Sequence, residues 1–131
     1  MSLRSPIGRV LGLGSAKEGV SHWWAQRVTA VALLLLTLWF VSALLRLSDF
    51  SFVAITGWVN APLNAVLLCL LIGTAAYHSQ LGVQVVVEDY VTNKGLKIVT
   101  MLLLNFLHIA LAALGIFSVL RLAFAAAGVA A

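Results

Sequence analysis

The stretch Val28-Thr29-Ala30-Val31-Ala32-Leu33-Leu34-Leu35-Leu36-Thr37-Leu38-Trp39-Phe40-Val41-Ser42-Ala43-Leu44-Leu45 holds nothing more polar than Thr29, Thr37 and Ser42. As a helix it rises about 27 Å, close to the ~30 Å hydrocarbon thickness of a bilayer. Arg27 closes one end and Arg46 the other. The rest of the chain agrees with a membrane reading. Hydrophobic residues make up 63% of the 131 and charged residues 9%, whereas water-soluble domains carry about a quarter charged residues. So few polar groups cannot cover an aqueous surface.

Working outward, two more apolar runs of spanning length follow. The sequence predicts an all-α membrane protein with three transmembrane helices, at about 24–46, 62–88 and 96–121. Residues 1–131 read as a single transmembrane anchor domain: a polar N-terminal arm over 1–21, then a three-helix membrane region over 22–131. The arm has no apolar stretch directly after its basic start, so it does not read as a secretory signal. His22, Trp23 and Trp24 look like an interfacial belt ahead of the first span. Ser48 to Pro62 reads as a short mixed connector. Trp58 is its interfacial aromatic, and Gly57, Asn60 and Pro62 are turn and helix-start signals. Thr92-Asn93-Lys94-Gly95 reads as a tight polar turn, and the tail from Ala123 either extends the third helix or frays.

The net charge of +4 is topological. Arg4, Arg9, Lys17, Arg27, Lys94 and Lys97 fall on one side of a three-span layout, and Arg46 and Arg121 on the other. The positive-inside rule then places the N-terminus in the cytoplasm and the C-terminus in the periplasm; in a mitochondrion the matrix replaces the cytoplasm. Basic residues dispersed this way form no phosphate-binding patch, which argues against a nucleic-acid partner. The single cysteine, Cys69, sits in an apolar run and reads as a packing residue. There is no nucleotide loop and no internal repeat.

Chemistry concentrates in Tyr77-His78-Ser79-Gln80-Leu81-Gly82-Val83-Gln84-Val85-Val86-Val87-Glu88-Asp89-Tyr90. Asp89 lies eleven steps along the helix from His78, about three turns, so both project from one face together with Leu71, Thr74, Gly82 and Val85. The rise is roughly 16 Å, which puts His78 near mid-depth if Asp89 and Tyr90 lie at the membrane surface. An ionisable residue inside a span usually faces protein and pairs there. His78 is either an axial haem ligand or a histidine hydrogen-bonded between helices. Gly82, one turn on, would let a flat macrocycle approach the backbone. His108 is expected at a similar depth, so a bis-histidine site within the chain is also open. At the exit, Asp89 and Tyr90 offer a carboxylate and a phenol for a quinone carbonyl, or are simply interfacial. Two acids, Glu88 and Asp89, at a helix C-terminus call for a compensating charge from Lys94, Lys97, Arg27 or a partner. Arg27 is expected at the same membrane level, binding haem propionates, the quinone site or lipid phosphate. His22 reads as a wetted interfacial residue.

These residues, in this order, resemble the D-type hydrophobic membrane anchor subunit of succinate dehydrogenase, respiratory complex II. The resemblance rests on Arg27-Val28-Thr29-Ala30, on the arm Gly12–Gly19 before His22-Trp23-Trp24, and on the His-x3-Gly-x6-Asp-Tyr spacing of His78, Gly82, Asp89 and Tyr90. It implies a subunit that is not catalytic alone, in a bacterial inner membrane or, in a eukaryote, the mitochondrial inner membrane. It implies a C-type cytochrome b anchor, an iron–sulfur subunit and a flavoprotein subunit as partners, with FAD and iron–sulfur clusters confined to those partners. It further implies that His78 ligates the iron of haem b, shared with the partner anchor, and that Tyr90, supported by Asp89, hydrogen-bonds ubiquinone. Three competing readings remain open at this point: a purely structural anchor, a fumarate reductase-type anchor using menaquinone, and a small channel lined by His78, Asn105 and His108. The channel is the weakest, since no broken pair of helices marks one.

Overall fold

In the computed structural model, which describes Ile7 and residues 19–125, four helices follow in order: α1 (Gly19–Leu45), α2 (Phe52–Asn60), α3 (Pro62–Tyr90) and α4 (Lys94–Ala125). No strand occurs among the described residues. Three of the helices are long and apolar enough to cross a membrane: Val20–Leu45, Pro62–Tyr90 and Lys94–Ala125. The expected all-α, three-span architecture is therefore present. α1 begins five residues earlier than expected and ends one residue sooner, α3 runs two residues further, and α4 starts two residues earlier and runs four further, taking in Ala123–Ala125 of the small-residue tail. The expected polar arm, with Arg4, Arg9, Lys17 and most of Gly12–Gly19, lies outside the described residues, and Gly19 itself opens α1.

The connector from Ser48 to Pro62 differs from expectation, because most of it is helix α2. Asp49 accepts a hydrogen bond from the Ser51 backbone N–H at 2.7 Å, and Ser51 Oγ accepts one from the Ala54 N–H at 3.2 Å. This N-cap satisfies a donor that the first helical turn leaves without an intrahelical partner. Hydrogen bonding from Ser51 to the Asp49 carboxylate, its side chain first and its backbone N–H second, holds that carboxyl below its ordinary value. The Pro62 ring disfavours helical geometry at Ala61, which is extended at φ −63° and ψ 123°, so α2 stops and Pro62 starts α3.

The turn between α3 and α4 is tighter than the four residues expected. Lys94 already belongs to α4, and Asn93 Oδ1 caps it by accepting from the Leu96 N–H at 3.1 Å. Lys97 Nζ reaches back to donate to the Glu88 carbonyl at 2.7 Å. A cation at the C-terminal end of α3 is the compensation that its two acids required.

Helix α3 is central. α1 and α4 pack against it rather than against each other, and α2 rests on α3 and α4. The best-packed region lies at the α2 end, where Val59, Ala65, Leu68 and Val119 are buried beneath Trp39, Phe40, Trp58 and Ile72. Trp39 and Trp58 stack with centroids 5.9 Å apart, and Asn64 Nδ2 donates to the Trp58 carbonyl at 2.8 Å. Such an aromatic pair adds about 0.5–1.5 kcal/mol beyond its buried area. Cys69 packs against this cluster, as its apolar surroundings predict. Elsewhere large apolar side chains point outward from every span, the arrangement that lipid or a partner helix requires.

Candidate functional site

The polar residues of α3 divide between two seams. On the α1 side, His78 Nδ1 lies 2.8 Å from Thr29 Oγ1, and His78 Nε2 lies 3.4 Å from Gln26 Nε2. Thr29 Oγ1 also donates to the Ala25 carbonyl, at 2.7 Å. A Cβ placed on Gly82 would stand 3.8 Å from Gln26 Nε2, so the glycine and the histidine confront the same amide, as their shared face predicts. Gln26 Oε1 is buried and has no hydrogen-bond partner among the described residues.

On the α4 side, His108 Nδ1 is 2.7 Å from the Leu104 carbonyl, and its Nε2 is 3.2 Å from Ser79 Oγ. Gln80 Nε2 donates to Asn105 Oδ1 at 3.0 Å. Beside these residues a recess of about 300 Å³ is lined by Gly73, Ala76, Tyr77, Gln80, Asn105 and His108. The sequence correctly places His108 at the depth of His78, since it touches the adjacent Ser79. A bis-histidine site within the chain is not formed, however. His78 turns toward α1 and His108 packs on α3 from α4, so one macrocycle cannot take both.

The expected common level for Arg27, Asp89 and Tyr90 is also not found. Thr29 pairs with His78, so Arg27 lies only about 3 Å further along the bundle while Tyr90 lies about 18 Å further. Arg27 stacks its guanidinium 5.5 Å over the Trp23 ring, and it shares no hydrogen bond or ion pair with Asp89 or Tyr90 among the described residues. Asp89 and Tyr90 end α3 next to each other and are exposed, Tyr90 by 81%. Glu88 accepts from Gln84 Nε2 at 2.8 Å.

His22 is more than a wetted residue. Its Nε2 is buried without a hydrogen-bond partner among the described residues, in a recess of about 530 Å³ shared with Ala25, Tyr77, Leu81, Gln84 and Glu88. Sequence spacing carries one signal for this. His22, Ala25, Gln26 and Thr29 recur at helical intervals, the face that α1 turns to α3.

No group of three or more His, Cys, Asp or Glu gathers to bind a metal ion among the described residues. A site in which the chain contributes one histidine to a shared metal requires no such cluster. The residues at His78 fit a haem. An imidazole nitrogen faces a glycine-flanked position filled only by an amide at long distance, whose own oxygen is left buried and unsatisfied.

Comparison with known proteins gives the same family as these residues. A family model described as succinate dehydrogenase/fumarate reductase transmembrane subunit matches residues 1–126. The succinate dehydrogenase hydrophobic membrane anchor subunit of Rickettsia bellii is 36% identical over 94 residues, 72% of this chain and 75% of that one. Its counterpart in Rickettsia conorii is 34% identical over 95 residues, with the same coverage of the two chains. The protein of that name from Paracoccus denitrificans is 34% identical over 79 residues, 60% of this chain and 61% of that one. The chain belongs to the succinate dehydrogenase/fumarate reductase transmembrane subunit family, and within it aligns with the hydrophobic membrane anchors.

Proposed function

We propose that this membrane anchor would hold a haem b, shared with a C-type partner anchor, through His78, and gives Tyr90 and Asp89 to a ubiquinone-reduction site. The arrangement around His78 carries the reading: one nitrogen held at 2.8 Å, the other facing a loosely held amide beside Gly82. A bound haem supplies one-electron redox chemistry. The residues of this chain supply its seat, its orientation and a polar wall in place of lipid.

Tyr90 donates its phenolic hydrogen to a carbonyl oxygen of the quinone. Asp89, at the same exposed helix end, exchanges protons with water, and quinone becomes quinol by gaining two electrons and two protons. The electrons would be supplied by succinate oxidation in the partner flavoprotein and iron–sulfur subunits, which would hold the FAD and iron–sulfur clusters. Partner surfaces must complete the quinone site, because Tyr90 stands exposed in this chain alone. Arg27, level with His78 on a face that Gln26 and Thr29 leave outside the seam, is suited to a haem propionate at the partner interface. The names of the relatives, succinate dehydrogenase anchors, favour succinate oxidation over the fumarate reductase reading. The basic residues assign the N-terminus and the Tyr90 exit to the cytoplasmic side of a bacterial inner membrane.

The test is the dithionite-reduced minus oxidised spectrum of the intact complex, wild type against His78→Ala. The b-type bands are expected to vanish in the variant. Bands that persist at full height would remove His78 from the iron and leave a purely structural anchor as the better reading.

A further inference from the structure

We infer that Thr29 is a positioning residue for the haem ligand: it fixes His78 as the Nδ1–H tautomer and leaves Nε2 as the nitrogen that meets iron. The inference rests on the haem reading above and adds a residue and an atom to it.

The argument starts from the single proton of a threonine hydroxyl. Thr29 Oγ1 lies 2.7 Å from the Ala25 carbonyl and 3.2 Å from the Gln26 carbonyl. Carbonyls only accept, and back-bonding to the preceding turn is the usual habit of a helical threonine. The proton is therefore committed to the backbone. What Oγ1 presents to His78 Nδ1, 2.8 Å away, is a lone pair, so Nδ1 carries the hydrogen and donates. A neutral imidazole with Nδ1 protonated has a bare Nε2.

The far side of the ring is compatible with this tautomer. Gln26 turns its amide nitrogen, a donor, toward Nε2. A protonated Nε2 would meet donor with donor. At 3.4 Å the contact is longer than a good N–H hydrogen bond, so Gln26 holds the position weakly. An electrophile that binds Nε2 replaces little. Hydrogen bonding at the remote nitrogen fixes ring orientation and raises ligand basicity, the general role of such partners in metal sites.

The experiment compares the intact complex carrying wild-type chain, Thr29→Val, Thr29→Ser and His78→Ala. Three quantities are read: haem retained against apo-complex titration, the haem midpoint potential, and the remote-nitrogen coupling of the oxidised haem by pulsed EPR. Assembly is followed separately through succinate oxidation by a soluble dye at the flavoprotein. Thr29→Val keeps the shape and removes the acceptor. It is expected to assemble, to bind haem about 10- to 100-fold more weakly, and to raise the potential, because His78 becomes a poorer donor. Its remote-nitrogen coupling should change. Thr29→Ser should restore all three readings. If Val distorts packing and blocks assembly, Thr29→Ala, which only removes atoms, gives the same comparison.

Wild-type affinity, potential and coupling in an assembled Thr29→Val or Thr29→Ala variant overturn the inference. Equal damage in Thr29→Ser overturns it as well, since the hydroxyl is present there. Failure of the haem reading is separately visible: His78→Ala then keeps its b-type bands, whereas failure of the Thr29 inference alone leaves that variant without haem.

Discussion

The two seams of α3 each carry a histidine at the same depth, and they treat it differently. On the α4 side, His108 has both ring nitrogens engaged, by the Leu104 carbonyl and by the Ser79 hydroxyl. Beside it Gln80 and Asn105 close a second hydrogen bond, and Gly115 lets Ile72 come so near that a Cβ there would stand 3.0 Å from Ile72 Cγ2. On the α1 side, His78 is held firmly at one nitrogen only, and the amide facing the other leaves its own oxygen unsatisfied. The difference shows that a histidine within a span does not by itself mark a cofactor. His78 differs from His108 in that one of its ring nitrogens has a poor protein partner. On the function proposed above, the α4 seam serves as an interface between helices and the α1 seam presents a ligand.

The largest effect that tests this contrast is the loss of haem. His78→Ala should abolish the b-type difference spectrum of the intact complex, while His108→Phe should leave it in place and cost only interhelical stability. Haem lost from His108→Phe and kept in His78→Ala would exchange the roles of the two seams.

Next in size is a packing change on the α4 side. Gly115→Val brings branched carbon against Ile72, and overpacking of this kind costs about 1–3 kcal/mol. Thermal inactivation of the detergent-solubilised complex should shift to lower temperature, with the haem spectrum unaltered in whatever remains assembled. An unchanged midpoint of inactivation would mean that the seam yields more readily than its close contact implies.

Much of this was legible in the sequence, and the illegible parts have physical causes. The three spans are plain because runs such as Val28–Leu45 contain too little polarity for any other setting. The spacing of His78, Gly82, Asp89 and Tyr90 is fixed by helical geometry once α3 is continuous. Helix α2 was missed because Gly57, Asn60 and Pro62 dominate a short segment, although Ser51 ahead of Phe52–Val59 is a helix-start signal. The seams themselves were not legible. Spans apolar all round show no inward face, so the sequence cannot say that His78 turns to α1 and Ser79 to α4. Nor does it set the register between helices. Arg27 and Tyr90 both look like boundary residues, yet the pairing of Thr29 with His78 separates them by about 15 Å along the bundle. That separation is itself informative. The last three turns of α3, with Gln84 and Glu88 beside His22 and with Gln80 turned to Asn105 of α4, form a polar-walled end that suits a partner subunit better than lipid.

The exposed tip of that end gives the next prediction. Tyr90→Phe removes one hydrogen bond to the quinone and should lower quinone reduction about tenfold, the equivalent of ~1.4 kcal/mol. The haem spectrum should not change, because Tyr90 lies about 18 Å beyond His78 along the helix. Normal quinone reduction in this variant would take the phenol out of the site.

The smallest expected effect makes the sharpest comparison. Asn105→Leu deletes the acceptor of the Gln80 amide and so removes one interhelical hydrogen bond from the α4 seam. Hydrogen bonds between membrane helices are worth about 0.6 kcal/mol on average, so thermal inactivation should shift only slightly. Thr29→Val removes a bond of the same kind from the α1 seam, at a similar depth and with a similar loss of polarity. If the seams differ as the two histidines suggest, equal chemical losses should read out differently: Asn105→Leu as a small change in stability with the haem midpoint potential unmoved, Thr29→Val as a change in that potential. A potential that moved equally in both variants would mean that haem senses the polarity of the whole bundle, and the distinction between an interface seam and a ligand seam would collapse.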